Sequence, residues 1–528
     1  MLNTLYEEAE KLGYKPRDVQ IKAVEWLQSV WDSENKCKIL SSPVASGKSL
    51  IAKTISEYNK KKELMTAVLT PQNILIDQYF NEFNDLNFLK GKSHYTCEKY
   101  QMGCDEGIQI NDEADTECEN CPYVESKRKA YEEYITIFNC MSYYILPKSD
   151  KEGIIYYVDT IIVDEFQSLP SILREMSSIK VWWHDLKWEH GITCSIPNII
   201  ELLSKYSKSL NSYIYNKDLE RKDRLKLINQ QKRINFVTYN LENNGQYYIC
   251  EESKEKFKGI MTDVLIIRPK YVPPQVAKGF FKIAKKVVLM SGTAFSNIWE
   301  ELGFKDVDYI DLPSPIPIDR RQIFITKSIK LSYKEDHLDK WDMLQELAKQ
   351  IKDIINKYHP KDNGVILLPY SLAADLKSLM SEDHFIHMDK STKKSKIQAF
   401  MAGETYGVGI FSGSYEGISL DDCVSRFTII PKCTYPNLKD TVVKVRMKEY
   451  PLSYNLETIT TIIQASGRST RSELDFSYTY ILDENFLSLY PRVRKHVPKY
   501  FSEALNFGYP TTQQIQKYNQ FQRDYENI

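Results

Sequence analysis

Glycine is scarce, at 20 of 528 residues, and no apolar run approaches the roughly 18 residues that a membrane-spanning helix needs. The longest apolar stretches, such as Val287-Val288-Leu289-Met290, are strand-sized. The first eight residues, Met1 to Glu8, lack the basic and apolar segments of a secretory signal. These absences predict a soluble, cytoplasmic protein with no membrane partner. Net charge is missing as well: 70 Lys and Arg face 71 Asp and Glu, a formal charge of -1. That balance does not exclude nucleic acid, because a basic groove can be offset by acidic surface elsewhere. No internal repeat or low-complexity segment interrupts the chain. A chain of this length can bury large cores, so its ten cysteines are not needed as a disulfide scaffold. Six of them stand singly and read as buried small hydrophobes. The other four crowd between Cys97 and Cys121 and need their own explanation.

What is present is ordinary for a globular protein, with 42% hydrophobic and 27% charged residues, and the length predicts about three or four domains. Short β-rich apolar runs alternate with helical patterns. Strands are predicted at 37–40, 66–69, 135–138, 160–163 and in the run ending at Met290, with helices near 48–60 and 72–83. The second half repeats the theme, with strands at 322–326, 364–369, 407–411, 425–430 and 476–482. Its helices fall near 340–357, 371–380, 392–402 and 456–466. Such alternation builds parallel sheets covered by helices, and two α/β units fit better than one. Two inserts interrupt the first unit. Residues 90–122 read as a cysteine-bearing loop, and 171–260 read as mainly helical. Within the second insert, 204–236 carries nine basic and three acidic residues, a solvated helical face or a contact for phosphates.

Three constellations carry chemistry. Ser42-Pro43-Val44-Ala45-Ser46-Gly47-Lys48-Ser49 follows a predicted strand and precedes a helix, the context of a phosphate-binding loop. Backbone N–H groups around Ser46 and Gly47 would cradle phosphate, Lys48 would supply a point charge, and the Ser49 hydroxyl could ligate Mg²⁺. Ser42 stands where the pattern usually has its first glycine. The second constellation is Asp164-Glu165-Phe166-Gln167 at the end of an apolar run. Asp164 suits a magnesium partner, and Glu165 suits the orientation or deprotonation of an attacking water. The third is Gln464-Ala465-Ser466-Gly467-Arg468-Ser469-Thr470-Arg471, in the second unit. Arg468 and Arg471 lie three apart, so on a helix both would point the same way and could neutralise charge on a transferred phosphoryl group.

Taken together, these motifs resemble superfamily 2 helicases, and specifically the XPD/DinG family of iron–sulfur helicases. The resemblance covers most of the chain. Tyr14 to Gln20 resembles the family's adenine-recognition segment, which implies a nucleotide-binding role for Arg17 and Gln20. Because that segment begins by residue 14, no fused nuclease is expected ahead of it. Leu69-Thr70-Pro71-Gln72 and the following helix resemble a DNA-contacting motif, and Met290-Ser291-Gly292-Thr293 resembles the motif that couples hydrolysis to strand movement. Gly364 to Ser371 resembles the opening of the second motor domain, and Gly413 to Ser419 its Glu-Gly-Ile-Asp motif, with Ser419 in place of Asp. Gln464, Gly467, Arg468 and Arg471 match the arginine-finger motif, while Gln167 replaces the His common in the acidic motif.

Cys97, Cys104, Cys118 and Cys121, separated by six, thirteen and two residues, lie where this family carries a 4Fe–4S domain. Four thiolates could hold either zinc or an iron–sulfur cluster; their location favours the cluster. Residues 96–121 are acidic, with eight Asp and Glu against Lys99 alone, so direct contact of that face with DNA is not expected.

The resemblance implies two RecA-like parallel-sheet motor domains. The first comprises 1–89, 123–170 and 261–315, interrupted by an iron–sulfur insert at 90–122 and an arch-like helical insert at 171–260; the second is 316–528. It implies an ATP- and Mg²⁺-dependent helicase moving 5′→3′ on single-stranded DNA and opening duplex junctions, as a monomer and with a possible loading protein. A partner-dependent adaptor or translocase with weak ATPase, or an RNA helicase, are the alternative readings.

Overall fold

The computed structural model describes residues 1–106, 121–146, 157–186, 195–216, 219–329, 337–388, 392, 394–412, 420, 424–470, 472 and 474–526. The strands in chain order begin with β1 (Cys37–Ser41), β2 (Thr66–Thr70), β3 (Asn87–Leu89), β4 (Thr96–Cys97), β5 (Met102–Gly103), β6 (Ile135–Asn139) and β7 (Thr160–Asp164). β8 (Ile179–Trp182), β9 (Tyr248–Phe257) and β10 (Ile260–Pro269) follow, then β11 (Lys286–Ser291) and β12 (Val307–Asp311). The second half adds β13 (Ile323–Ile329), β14 (Gly364–Leu368), β15 (Phe385–Met388), β16 (Val408–Ser412), β17 (Phe427–Ile430), β18 (Tyr478–Asp483) and β19 (Leu505–Phe507).

Two seven-stranded sheets result, in the orders β12-β1-β11-β7-β2-β6-β3 and β15-β16-β14-β17-β18-β13-β19. Every pairing within them is parallel. The central strands β1, β2 and β7 are buried at every residue, as parallel strands covered on both faces must be. Their period-two alternation feeds two cores. Ile39, Leu69, Val163 and Leu289 point into one, and Leu40, Val68, Ile162 and Met290 into the other. The first of these cores continues into the second unit through Ile325, Val365, Leu367 and Ile481, so the two α/β units share apolar packing. This is the doubly wound, two-unit α/β architecture that the sequence predicts.

The second insert is built on the antiparallel helices Ile196–Ile214 and Arg221–Asn244, which bury Ile199, Leu203, Ile234 and Val237 against one another. A three-stranded antiparallel sheet, β8-β10-β9, completes it, and its β9–β10 hairpin runs across residue 260 to Pro269. Val181, Leu265 and Ile267 close the same core from the sheet side. The helical reading of this segment therefore lacks its sheet, whose strand β9 alternates charged residues (Glu251, Glu252, Lys254, Glu255, Lys256) instead of showing an apolar run. Among the described residues, no helix is long and apolar enough to cross a membrane.

Candidate functional site

The candidate phosphate loop leaves β1 and enters the helix Lys48–Lys60. Gly47 sits in the left-handed region at φ 71°, and a Cβ there would come within 2.0 Å of Gln20 Nε2. The left-handed backbone favours glycine, and any larger residue would have to displace the Gln20 amide. Ser42, by contrast, is not among the positive-φ residues, which removes the conformational need for glycine at its position. Its hydroxyl instead pairs with Ser46 Oγ at 2.7 Å, and Ser46 donates to the Pro43 carbonyl at 2.7 Å, a buried brace across the loop. Gln20 accepts the Arg17 backbone N–H at 2.9 Å, and the Arg17 guanidinium donates to the Ala45 carbonyl. Both residues of the adenine-type segment thus pack directly on the loop.

Opposite the loop, β7 ends in Asp164 and the chain turns through Glu165, itself left-handed at φ 51°. The Lys48 ammonium lies 2.9 Å from Glu165 Oε1. Burial pushes the Glu165 carboxyl up, but Lys48, Gln167 and Arg468 together outweigh it and hold the group below its ordinary range. Asp164 is pushed up to about 6, chiefly by burial, with Lys48 opposing and Glu165 adding to the shift. Gln167 donates to Glu165 Oε2 at 2.9 Å and accepts from Ser291 Oγ at 2.5 Å. The glutamine at this position therefore links the acidic pair to Ser291-Gly292-Thr293, since Ser291 Oγ also accepts the Thr293 N–H at 2.9 Å.

The second unit closes the cleft. One cavity is lined by Lys48, Glu165 and Gln167 together with Gln464, Gly467 and Arg468. Gly467 approaches the loop so closely that a Cβ would stand 2.7 Å from Val44 Cγ2. One expectation is corrected here. The helix Pro451–Ser466 ends before Arg468, which lies in the following turn, so a shared helical face does not set its direction. Arg471 lies outside the described residues. Sequence reasoning also missed Tyr500, whose hydroxyl donates to the Gly292 carbonyl at 2.8 Å from across the cleft. A lone tyrosine two residues after Pro498 gives no motif signal.

The loop, the acidic pair and the adenine-type segment all fall within residues 13–179, which match a family model described as type III restriction enzyme, res subunit. Residues 370–504, which include Gln464 and Arg468, match a helicase C-terminal domain. Among solved structures the chain is similar to an XPD helicase at 16% identity and TM-score 0.58, covering 93% of this chain and 100% of that one. An apo form of XPD follows at 16% identity and TM-score 0.53, covering 90% and 98%. Xpd4 of S. tokodaii matches at 12% identity and TM-score 0.52, covering 95% and 99%. The chain has the fold of the XPD helicases, and its second unit matches a helicase C-terminal domain. A comparison with curated proteins gives no match.

The cysteine-bearing insert begins with a small hairpin. β4 pairs with β5, placing Cys97 and Cys104 at its two ends. Cys121 stands immediately before the helix Pro122–Glu132, with its sulfur 3.7 Å from that of Cys104. Cys97, Cys104 and Cys121 line one cavity, and the Cys104 thiol is pushed up to about 11, first by burial and then by its thiol neighbours. Cys118 and most of the acidic stretch lie outside the described residues, as does Gly413 to Ser419. Among the described residues no group of three His, Cys, Asp or Glu stands at metal-holding spacing. The same cavity is lined by Lys90, Lys92 and Lys127 and, from the second insert, by Lys232. The cavity beside the cysteines therefore has lysines from outside the acidic stretch on its wall.

Proposed function

We propose that the protein is a helicase of the XPD/DinG type, an ATP-driven motor that moves on single-stranded DNA and opens duplex junctions. The observation that carries this is the single cleft joining Lys48 and Glu165 of one unit to Gln464 and Arg468 of the other. Nucleotide bound there would touch both sheets, so its hydrolysis could change their relative position. Lys48 and the loop N–H groups would hold the phosphates, with Arg17 and Gln20 beside the base. Ser49 and Asp164 offer an alcohol and a carboxylate oxygen, the donor set of a hard cation such as Mg²⁺, which would supply charge neutralisation at the phosphates. Glu165, kept ionised by Lys48, would orient or deprotonate the attacking water. Arg468, and Arg471 by resemblance, would meet the charge that develops on the transferred phosphoryl group. The lysines around the cysteine cavity and the basic helices of the second insert support a path for the DNA backbone between the two inserts.

The direction 5′→3′ rests on family resemblance. Two matched duplexes, one with a 5′ tail and one with a 3′ tail, test motor and direction together. ATP-dependent opening of the 5′-tailed duplex alone is the expected result. Opening of neither, with tail binding retained, would move the reading to a partner-dependent adaptor or non-unwinding translocase. RNA as the better ATPase activator would move it to an RNA helicase.

We further propose that Cys97, Cys104, Cys118 and Cys121 hold a 4Fe–4S cluster that stiffens the insert beside this path. Three buried or half-buried thiols line one cavity, and the Cys104 and Cys121 sulfurs lie 3.7 Å apart, which supports this reading. The 3.7 Å sulfur separation also suits zinc, because tetrahedral bonds of about 2.3 Å place thiolates about 3.8 Å apart. Anaerobically purified protein is expected to contain about four irons and four labile sulfides and to absorb broadly in the visible. One zinc and no visible absorbance would assign the site to zinc.

A further inference from the structure

The helix Asn73–Glu82 enters the family resemblance only as a nucleic-acid contact, yet its last two turns reach the oxygen donors of the proposed magnesium site. Tyr79 Oη donates to Asp164 Oδ2 at 3.1 Å, and Ser49 Oγ donates to Glu82 Oε2 at 2.7 Å. Tyr79 and Glu82 are three residues apart, which places both on one side of the helix. Tyr79 is buried, and its ring packs against Phe83 with centroids 6.3 Å apart. The other Asp164 oxygen, Oδ1, accepts the Glu165 N–H at 3.0 Å, so both carboxylate oxygens are held from fixed directions. A serine hydroxyl has one proton and two lone pairs. Giving the proton to Glu82 turns the lone pairs away from it, which is what a cation ligand requires.

We infer that Tyr79 and Glu82 are positioning residues for the metal ligands, Tyr79 fixing the Asp164 carboxylate and Glu82 fixing the Ser49 hydroxyl. The inference rests on the nucleotide reading proposed above. Outer partners of this kind typically change metal affinity by about 10–100-fold when removed. Neither residue touches the phosphates in this role, so the effect belongs to Mg²⁺ and not to the nucleotide.

The test uses the full chain and the variants Tyr79→Phe, Glu82→Ala and Glu82→Gln. Binding of a fluorescent ADP analogue is titrated with Mg²⁺ and repeated in EDTA, and the Mg²⁺ dependence of ATP hydrolysis is followed beside it. Tyr79→Phe and Glu82→Ala are expected to raise the half-saturating Mg²⁺ concentration about tenfold, with affinity in EDTA within twofold of wild type. Glu82→Gln should stay within about threefold, because its amide oxygen accepts the same proton. Unchanged Mg²⁺ midpoints in Tyr79→Phe and Glu82→Ala overturn the inference, as does an equal loss of affinity in EDTA. So does a Glu82→Gln variant as impaired as Glu82→Ala. Glu82 is exposed, so its variants keep the test available if Tyr79→Phe fails to fold. A wild-type protein that binds no nucleotide would instead sink the parent reading, and this one with it.

Discussion

Replacing Lys48 by alanine is expected to lower DNA-stimulated ATP hydrolysis about 10²–10³-fold, or roughly 3–4 kcal/mol of transition-state stabilisation. Two losses combine. The first is the point charge that the β and γ phosphates would meet at the start of the helix Lys48–Lys60. The second is indirect. Lys48 is 2.9 Å from Glu165, and its field is the largest influence opposing the burial that pushes that carboxyl up. Without it, Glu165 and Asp164 stand side by side with no ammonium between them, and the pair favours taking up a proton. A protonated Glu165 cannot orient or deprotonate water. Nucleotide affinity and turnover should therefore both fall, unlike a defect confined to binding, which would raise KM alone. Thermal melting should move little, because Lys48 contributes to a cleft wall and to no apolar core. Steady-state hydrolysis with and without single-stranded DNA is the measurement. Turnover within tenfold of wild type would remove the nucleotide reading of this cleft.

The central strands of both sheets were legible because each lies between two neighbours and under helices on both faces. That double burial demands continuous apolar runs such as Ile161-Ile162-Val163, which a reader of sequence can see. All four motor strands that sequence patterning misses, β3, β12, β15 and β19, are the outermost strands of their sheets. An edge strand pairs on one side only and can carry charge: β12 places Asp308 beside Lys38, where the carboxylate accepts from Ser33 and Asn35. The chemical site divides in a similar way. Lys48, Asp164, Glu165 and Gln464 stand in contiguous motifs at the ends of strands or helices, so spacing reveals them. Tyr79, Glu82 and Tyr500 act from positions fixed only by how a helix lies across the sheet, and no local pattern marks them. The expected helical placement of Arg468 fails for a related reason, since Gly467 already ends the helix and packs against Val44.

Arg468→Ala is expected to reduce kcat for ATP about 10³-fold while leaving KM within a few-fold. The asymmetry follows from where the residue sits. Arg468 comes from the second unit, beyond the end of the helix Pro451–Ser466, whereas the loop, Arg17 and Gln20 that would bind nucleotide belong to the first. Ground-state affinity is therefore largely independent of Arg468. Its guanidinium lines the same cavity as Lys48 and Glu165, and its charge helps hold Glu165 ionised. A group that meets charge only as the phosphoryl transfers lowers kcat and kcat/KM together when it is removed. Arg468→Lys should recover less than tenfold, because an ammonium is a point charge on a different stem and lacks the planar fork. Combining Arg468→Ala with Lys48→Ala should cost much less than the product of the two single effects, since both act on one phosphoryl group and one carboxylate. Hydrolysis measured at saturating ATP and DNA separates these cases. A variant with normal kcat and raised KM would place Arg468 in nucleotide binding, and the second unit would then close the cleft without contributing to the chemistry.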